Sequence, residues 1–335
     1  MRIKYLFMVA AATLVISACD NDLNNADENA VDGNSNFWYI YELAPKGIKS
    51  ITTENYTENF DNNGRIVSST DTYGGSATYT YDSQGRITKV VSTSRQEGTT
   101  TETFEYKNDG KFCPVPMGPG SVFHVFEMGL APGLSKVSFD FGEEGSAVME
   151  YKFKGNELTI STTCKDMTMW NYDGEQVPAE YDDIIFEYQG DYPKKTSNDR
   201  EFIGPMTYQA NGMFDTYVEG FYSDNIPGFV YLERTRTVSK NFKNLMLAER
   251  EVTKYYNDGE STPYDVETIV FTYNEKGDLT KEDVTHTSAH GEHSVTTYEY
   301  EYDSKGNWVK MTGTIEVVGG SFTNTWSSER TITYY

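Results

Sequence analysis

Three of the four histidines in this 335-residue chain lie close together, and they are its first candidates for chemistry. His286, His290 and His293 follow the order His-x3-His-x2-His, with Glu292 beside the last of them. Imidazole and carboxylate groups are common ligands of transition metals. The order is not the His-Glu-x-x-His of zinc proteases, and Gly291 lies within the segment, between two predicted strands. The pattern therefore predicts either a metal site or a solvated hairpin loop.

Paired carboxylates are the second candidate, because glycosidases use two acids about 5–10 Å apart across a sugar. The chain has 51 acidic residues, so such pairs arise by chance and none stands out. It has no Gly-x-Ser-x-Gly, no phosphate-binding glycine loop and no Cys-x-x-Cys. The sequence thus designates no catalytic residue and no cofactor. The pairs are Glu143 with Glu144, Asp182 with Asp183, and Asp199 with Glu201.

The N-terminus has the form of an export signal. Arg2 and Lys4 precede an apolar run from Tyr5 to Ile16, which is shorter than the about 20 residues of a spanning helix. The run closes on Leu-Val-Ile-Ser-Ala-Cys, which resembles the lipobox of bacterial lipoproteins. The resemblance implies a signal peptide over residues 1–18 and an acylated Cys19 that anchors the chain to a membrane.

The segment after Cys19 is polar and acidic, so residues 19–36 are predicted to form a flexible tether. An EF-hand is excluded because the loop would need Gly and Glu where Asn25 and Val31 stand. Acidic residues after a lipidated Cys resemble the surface-export signal of Bacteroidota lipoproteins. That resemblance implies an outer-membrane lipoprotein at the cell surface, and it leaves open a position that faces the periplasm. In enteric bacteria, an Asp directly after the lipidated Cys instead resembles an inner-membrane retention signal.

Composition and charge limit the classes of partner that this chain can bind. The formal charge is −23, and loss of residues 1–18 removes Arg2 and Lys4 to leave −25. Such a charge repels phosphate backbones, so no nucleic-acid partner is expected. Aromatic residues make up 14% of the chain, which favours β structure. Cys113 and Cys164 are either a disulfide, as export would allow, or two half-buried thiols.

A short phrase recurs along the rest of the chain. An aromatic residue is followed by Gly four places later and by an apolar residue two places after the Gly. Asp or Asn comes directly after the aromatic residue in every copy except the one at Gly110, where Lys107 stands first. Asp or Asn starts a turn by bonding its own backbone, and Gly supplies a positive φ. Each copy is predicted to be a β-hairpin turn. The glycines of the five copies are Gly64, Gly85, Gly110, Gly277 and Gly306.

The segments that feed these turns alternate with a period of two. Tyr298, Tyr300 and Tyr302 share one face, and Thr297 and Glu299 share the other. Repeated hairpins predict a mainly all-β domain over residues 37–335, an antiparallel meander curled into a barrel or half-barrel. Prolines after Cys113 predict an irregular central insertion. The domain is either one unit or two halves, divided near residues 113–135 or 190–205.

Tyr79–Thr88 resembles the tyrosine–aspartate (YD) repeat of Rhs-type shell proteins, and Tyr300–Lys310 resembles it as well. Together with the lipobox, the chain is similar to uncharacterised Bacteroidota lipoproteins with a porin-like antiparallel sheet. That resemblance implies a fold and a location, not an activity.

These features favour a lipid-anchored binding or interaction module at the cell envelope, with a glycan, lipid or protein ligand. The alternatives are a hydrolase acting on glycans and a purely structural repeat element. An integral membrane barrel is disfavoured because charged residues interrupt most predicted strands.

The lipobox generates a direct prediction. Cys19→Ser should abolish acylation and release the protein from membranes, because anchoring draws about 0.8 kcal/mol from each buried CH2. Palmitate labelling and membrane fractionation would measure it. Cys113→Ser and Cys164→Ser are matched controls that should keep the label; label retained on Cys19→Ser would contradict the lipobox.

Overall fold

The computed structural model describes residues 47–335 apart from short gaps. The gaps are residues 96–97, 108–109, 117, 120–129, 171–174, 198–200, 204, 209–213, 223–230, 239–246, 257–259, 261 and 289–290. The predicted signal peptide, Cys19 and the tether lie outside the described residues, as do residues 37–46.

The described residues form β-strands joined mostly by short turns, with one 3-10 turn at Gly142–Glu144. The strands are β1 (Ile48–Thr53), β2 (Tyr56–Phe60), β3 (Ile66–Asp71), β4 (Ser76–Tyr81), β5 (Ile87–Ser94), β6 (Gly98–Tyr106), β7 (Phe112–Pro114), β8 (Leu130–Pro132), β9 (Leu134–Asp140), β10 (Ser146–Lys154), β11 (Glu157–Lys165), β12 (Thr168–Trp170), β13 (Gln176–Pro178), β14 (Ile184–Gln189), β15 (Tyr192–Ser197), β16 (Glu201–Ile203), β17 (Thr207–Tyr208), β18 (Phe214–Tyr222), β19 (Tyr231–Val238), β20 (Ala248–Tyr256), β21 (Asp265–Tyr273), β22 (Leu279–His286), β23 (Ser294–Tyr302), β24 (Trp308–Val317) and β25 (Thr323–Tyr334).

Twenty-one of these strands form one antiparallel sheet, which confirms the predicted meander. Strands that follow one another along the chain pair with each other, as in the run from β18 to β25. The sheet curls round, because β1 pairs with β2 on one side and with β25 on the other. The sheet is continuous at both predicted boundary segments, because β6 pairs with β9 and β15 pairs with β16.

The repeated turns are held by the side chain of their first residue. In the turn from β4 to β5, Asp82 Oδ1 accepts hydrogen bonds from the backbone N–H groups of Gln84 and Arg86, each at 2.9 Å. The Gly85 N–H bonds back to the Asp82 carbonyl, which requires the positive φ of 83° at the glycine. The same bonds recur in the turns that begin at Asp61, Asn274 and Asp303.

The turn that begins at Asp71 has these bonds too, although the sequence pattern did not predict it. Asp71 Oδ1 accepts from Tyr73 and Gly75 at 2.8 Å each. The third predicted copy behaves differently. Gly110 has a positive φ of 74°, but the strand that follows it, β7, pairs with β8 outside the large sheet. The prediction of a hairpin at that copy was therefore wrong.

Each turn is also tied to the next repeat by a tyrosine hydroxyl. Tyr81 donates to the Ile66 carbonyl and Tyr106 donates to the Ile87 carbonyl, each at 2.7 Å. Tyr300 makes the same bond to Leu279. Every one of these tyrosines reaches back to the first strand residue after the preceding turn, so the repeats are fastened in sequence order.

A cation of the turn also covers the ring of the tyrosine that ends the second strand after that turn, and the cation comes from one of two turn positions. In the early repeats this tyrosine is the fastening one, whereas in the late repeats it is a different tyrosine from Tyr300. The early repeats use the fifth turn residue: Arg65 lies 4.8 Å from the Tyr81 ring centroid, and Arg86 lies 4.2 Å from that of Tyr106. The late repeats use the third residue, with Lys276 over Tyr302 and Lys305 over Tyr334, each at 3.6 Å. Cation–π contacts are worth about 0.5–1 kcal/mol at exposed sites.

Because the third turn residue supplies the cation in the late repeats, the fifth turn residue can make a second contact with the same tyrosine. Asp278 fills that position in one late turn and accepts a hydrogen bond from the Tyr302 hydroxyl at 2.7 Å. Asn307 fills it in the other and donates to the Tyr334 hydroxyl at 2.9 Å. The two kinds of repeat thus contact the tyrosine that ends the second strand after the turn with different residues.

The main core lies on one face of the sheet, under the small hairpin of β7 and β8. Phe139, Met149 and Phe186 are completely or almost completely buried there. The sheet tyrosines Tyr151 and Tyr188 donate hydrogen bonds to carbonyls of β7, which fixes the hairpin on this face. Full burial of such side chains stabilises the fold by about 1.5–3 kcal/mol each.

The central insertion is partly regular. The sequence predicted that the segment from Cys113 would be irregular because of its prolines, but Phe112–Pro114 forms β7 and pairs with Leu130–Pro132. A strand this short tolerates proline at its end. No disulfide joins Cys113, which is buried in the core, to Cys164, which lies at the margin of the core.

The turn geometry generates a stability prediction. Asp82→Ala removes two bonds to backbone N–H groups and one to the Arg86 guanidinium at 2.8 Å. Since each hydrogen bond contributes about 0.5–1.5 kcal/mol, the free energy of unfolding should fall by about 2–3 kcal/mol. Urea unfolding would measure this, with Ser83→Ala in the same turn as the control. Equal effects of the two substitutions would contradict the role of the aspartate.

Candidate functional site

The core face of the sheet is buried in its first half and only part-buried over much of its last strands. We call ten part-exposed core-side residues of β21–β25 the open face. Cross-strand register places them side by side, and Ile332 and Tyr334 of β25 join this face to the core around Ile48, Ile51, Phe60 and Ile66. The open face consists of Ile269, Phe271, Tyr273, Glu282, Val284, Tyr298, Tyr300, Met311, Ile315 and Trp326.

Every member of the open face keeps part of its surface exposed, in contrast to Phe139 and Met149 under the hairpin. No described segment therefore covers this face in the way that β7 and β8 cover the other half. Exposed apolar and aromatic surface rimmed by polar groups is typical of a binding surface.

Two aromatic rings form a corner on the open face. Trp326 is 37% exposed, and it stands opposite Gly313 on β24. A Cβ at Gly313 would come within 2.5 Å of the indole, so the glycine makes room for the ring to lie across its strand. Tyr298 meets Trp326 edge-on, with ring centroids 6.2 Å apart and planes at 84°.

Carboxylates border this corner. Glu282 lies beside the Tyr298 hydroxyl; burial raises the pKa of Glu282, Tyr298 lowers it, and the nearby Glu251 raises it. Glu251 is itself paired with Arg236, at 3.0 Å between Oε1 and Nε. One acid is therefore held as an ion pair while the other is shifted toward its protonated form.

Two further glutamates on the core face have raised pKa values. Glu102 lies between Val90 and Phe139, and burial raises its pKa to about 7. Glu58 lies opposite Ile51, and burial raises its pKa to about 6 against the opposing effect of Arg330.

The predicted histidine cluster is divided between the two faces of the sheet. His286 lies on the core side, with Nδ1 2.8 Å from Asp265 Oδ2 and Nε2 3.5 Å from Glu267 Oε2. Although burial raises it, hydrogen bonds from His286 and the Ser288 backbone lower the pKa of Asp265 to about 2. His286 therefore has a structural explanation as a bridge between two carboxylates.

His293 bonds a different acid, with Nε2 2.9 Å from Asp283 Oδ1, and Glu292 is exposed. Among the residues that the structure describes, no group of three His, Cys, Asp or Glu side chains could hold a metal. His290 lies outside those residues, so the metal site stays a prediction.

Two of the three pairs of carboxylates predicted from the sequence lie away from the open face. Glu143 and Glu144 are exposed in the 3-10 turn, and Asp182 and Asp183 are exposed before β14. Asp199 lies outside the described residues. The turn glycines Gly64, Gly85, Gly110, Gly277 and Gly306 all have positive φ values.

Sequence reasoning missed the aromatic corner. Alternation placed Tyr298 and Tyr300 on one face, but it did not select Trp326, Gly313 or Glu282. An isolated glycine within a strand was the available signal, since it marks close approach of another group. Which residue approaches Gly313 depends on strand register, which the sequence does not give.

Comparison with known families finds one match. The RHS repeat family matches residues 60–97, which contain the first two copies of the turn. This confirms the predicted Rhs-type repeat in that segment, which is much less than half of the chain. No curated protein matches.

Solved structures give only distant likenesses. A porin-like protein from Bacteroides uniformis is 10% identical, with a TM-score of 0.31, over 87% of this chain and 98% of that one. A porin-like protein from Bacteroides vulgatus is 9% identical, with a TM-score of 0.30, over 87% and 99%. The TcdB2-TccC3-Cdc42 structure is 11% identical, with a TM-score of 0.22, over 92% of this chain and 17% of that one. TM-scores this low define neither the fold nor the function.

The fold and its turns define a hairpin-repeat β protein that carries an RHS repeat, a structural or interaction element. Within the described part of the chain, no helix is long and apolar enough to cross a membrane.

The buried Glu102 generates a pH prediction. Burial raises its pKa in the folded protein from the ordinary 4.5 of a glutamate to about 7. The folding stability that goes with the protonated carboxyl is therefore fully present below pH 4.5 and is lost as pH rises through about 7. The stability of Glu102→Gln, measured against the parent protein at the same pH, should therefore be greater at pH 8 than at pH 4. The difference should be about 3 kcal/mol, at about 1.4 kcal/mol per pKa unit.

Chemical denaturation at both pH values would measure this difference. The exposed Glu299→Gln is the matched control and should show no such difference. A stability difference between Glu102→Gln and the parent protein that is the same at pH 4 and pH 8 would rule out the shifted carboxyl.

Proposed function

We propose that this chain is a lipid-anchored binding module of the cell envelope, which contacts its ligand through the open face. The observation that carries the proposal is the asymmetry of the core face, where the side chains beneath β7 and β8 are buried and the ten side chains of the open face each keep part of their surface exposed. Leaving ten side chains of this kind part-exposed forgoes the stabilisation that burial would give, at about 25 cal/mol per Å2. A binding role accounts for that loss.

The anchor supports the location in this proposal. The lipobox ending at Cys19 and the acidic tether after it are features of the sequence alone. A tether of this composition would hold the folded domain away from the membrane while leaving it free to turn. The open face could then meet a ligand on the surface that carries the anchor or beyond it.

A purely structural role is the second candidate, favoured by the RHS repeat at residues 60–97. A structural element needs its turns and fastening tyrosines, but it does not need a part-exposed face with half-buried glutamates. The two candidates therefore differ in what a change on the open face should do.

The test is retention of purified protein on three immobilised probes: envelope polysaccharide, vesicles of envelope lipid, and detergent-extracted envelope protein. The parent protein should be retained on at least one probe. Ile315→Glu, which places a charge on the open face, should weaken retention at least tenfold. Thr314→Glu, the neighbour on the opposite face of β24, is the matched control and should leave it unchanged.

Failure of all three probes to retain the parent protein would overturn the proposal and leave the structural role. Equal effects of the two substitutions would overturn it too, because retention would then not involve the open face. Thermal unfolding of both variants would show that they keep the parent fold.

A further inference from the structure

We infer that the ligand of the open face is a neutral oligosaccharide, stacked on Trp326 and hydrogen-bonded through Tyr298 and Glu282. This inference rests on the proposed function and adds the chemical class of the ligand. It depends on three properties of the corner: an exposed ring, a perpendicular second ring, and a carboxyl group that the second ring orients.

The stacking surface comes from the pairing of a tryptophan with a glycine. One side of the Trp326 indole lies over Gly313, where no side chain competes for the space. The ring is nevertheless 37% exposed, so it is not simply buried by the strand that it covers. A flat aromatic surface of this kind suits the C–H face of a pyranose ring, which is apolar although the rim of the sugar is polar.

The second ring limits the position of a ligand on the first. Tyr298 stands at 84° to Trp326, with ring centroids 6.2 Å apart, so the two rings form two sides of a corner. A planar stack of two aromatic rings would leave no room for a third ring between them. An edge-on pair leaves the exposed face of the indole accessible and places a phenol beside the rim of whatever stacks there.

Hydrogen bonding at the rim is supplied by a pair of side chains. The Tyr298 hydroxyl lies beside Glu282 and directs that carboxyl group, which retains further lone pairs for ligand hydroxyls. A sugar has adjacent hydroxyl groups that both donate and accept, which matches a carboxyl–phenol pair. Buried polar groups that must be satisfied give such sites their specificity.

The charges of the molecule argue for a ligand without net charge. A chain of net charge −23 repels acidic glycans and phosphorylated ligands. A cationic peptide would require ionised carboxylates, but Glu251 is already paired with Arg236 and burial raises the pKa of Glu282. An acyl chain would leave Glu282 without a hydrogen-bonding partner from the ligand, which is unfavourable in a dry site.

The experiment is a printed array of neutral and acidic oligosaccharides, followed by calorimetry with each glycan that binds. The parent protein should bind at least one neutral oligosaccharide and no acidic one. Trp326→Ala should weaken that binding at least tenfold, because it removes the stacking surface. Tyr298→Phe and Glu282→Gln should each weaken it several-fold while keeping the shape of the corner.

Thr325→Ala is the matched control, since Thr325 precedes Trp326 and lies on the opposite face of β25. It should bind like the parent protein. Thermal unfolding midpoints near that of the parent would show that the variants are folded, and intrinsic fluorescence of Trp326 should change on titration with the bound glycan.

The outcomes separate this inference from the proposed function. If no neutral glycan binds while retention on lipid vesicles or envelope protein is still lost in Ile315→Glu, the ligand class is wrong and the binding function stands. If neither array nor probes bind, both are wrong. Glycan binding that is unaffected by Trp326→Ala would place the sugar elsewhere and overturn the inference.

Discussion

The fold depends on one local interaction, in which the side-chain oxygen of an Asp or Asn accepts two backbone N–H groups of its own turn. Asp82 shows the arrangement in full, with bonds to Gln84 and Arg86. These bonds satisfy backbone groups that the adjoining strands leave unpaired, and they fix the five-residue loop that sets the strand register. A sheet of 21 strands requires many such reversals, and a turn that allowed slippage would move whole sets of side chains to the wrong face.

The fastening tyrosines convert these local turns into long-range order. Because Tyr81 bonds the strand that follows the turn before it, each repeat is positioned by its predecessor. The covering cation has moved from the fifth turn residue at Arg65 and Arg86 to the third at Lys276 and Lys305, and the tyrosine ring stays covered in both arrangements. The tyrosine ring therefore has a cation–π contact in both arrangements, and only the turn residue that supplies the cation differs.

The same construction explains how one sheet supports both a core and a surface suited to ligands. The small hairpin of β7 and β8 covers the face near Phe139 and leaves the face near Trp326 uncovered. Stability comes chiefly from the covered half and the turns. The open face is thus free to carry part-exposed aromatic rings beside Glu282.

Sequence alone determined the turns, the strand alternation and the antiparallel meander. These follow from interactions among residues close together in the chain, such as Asp82 with Gly85 and Arg86. It could not determine that Phe112–Pro114 would pair with Leu130–Pro132, or that His286 and His293 would bond different acids on opposite faces.

Only the tertiary structure placed Trp326 over Gly313 and Tyr298 beside Glu282. Those contacts depend on the register of neighbouring strands and on where the hairpin of β7 and β8 lies. A residue's type and its neighbours in sequence specify neither, because both arise from the pairing of segments far apart in the chain.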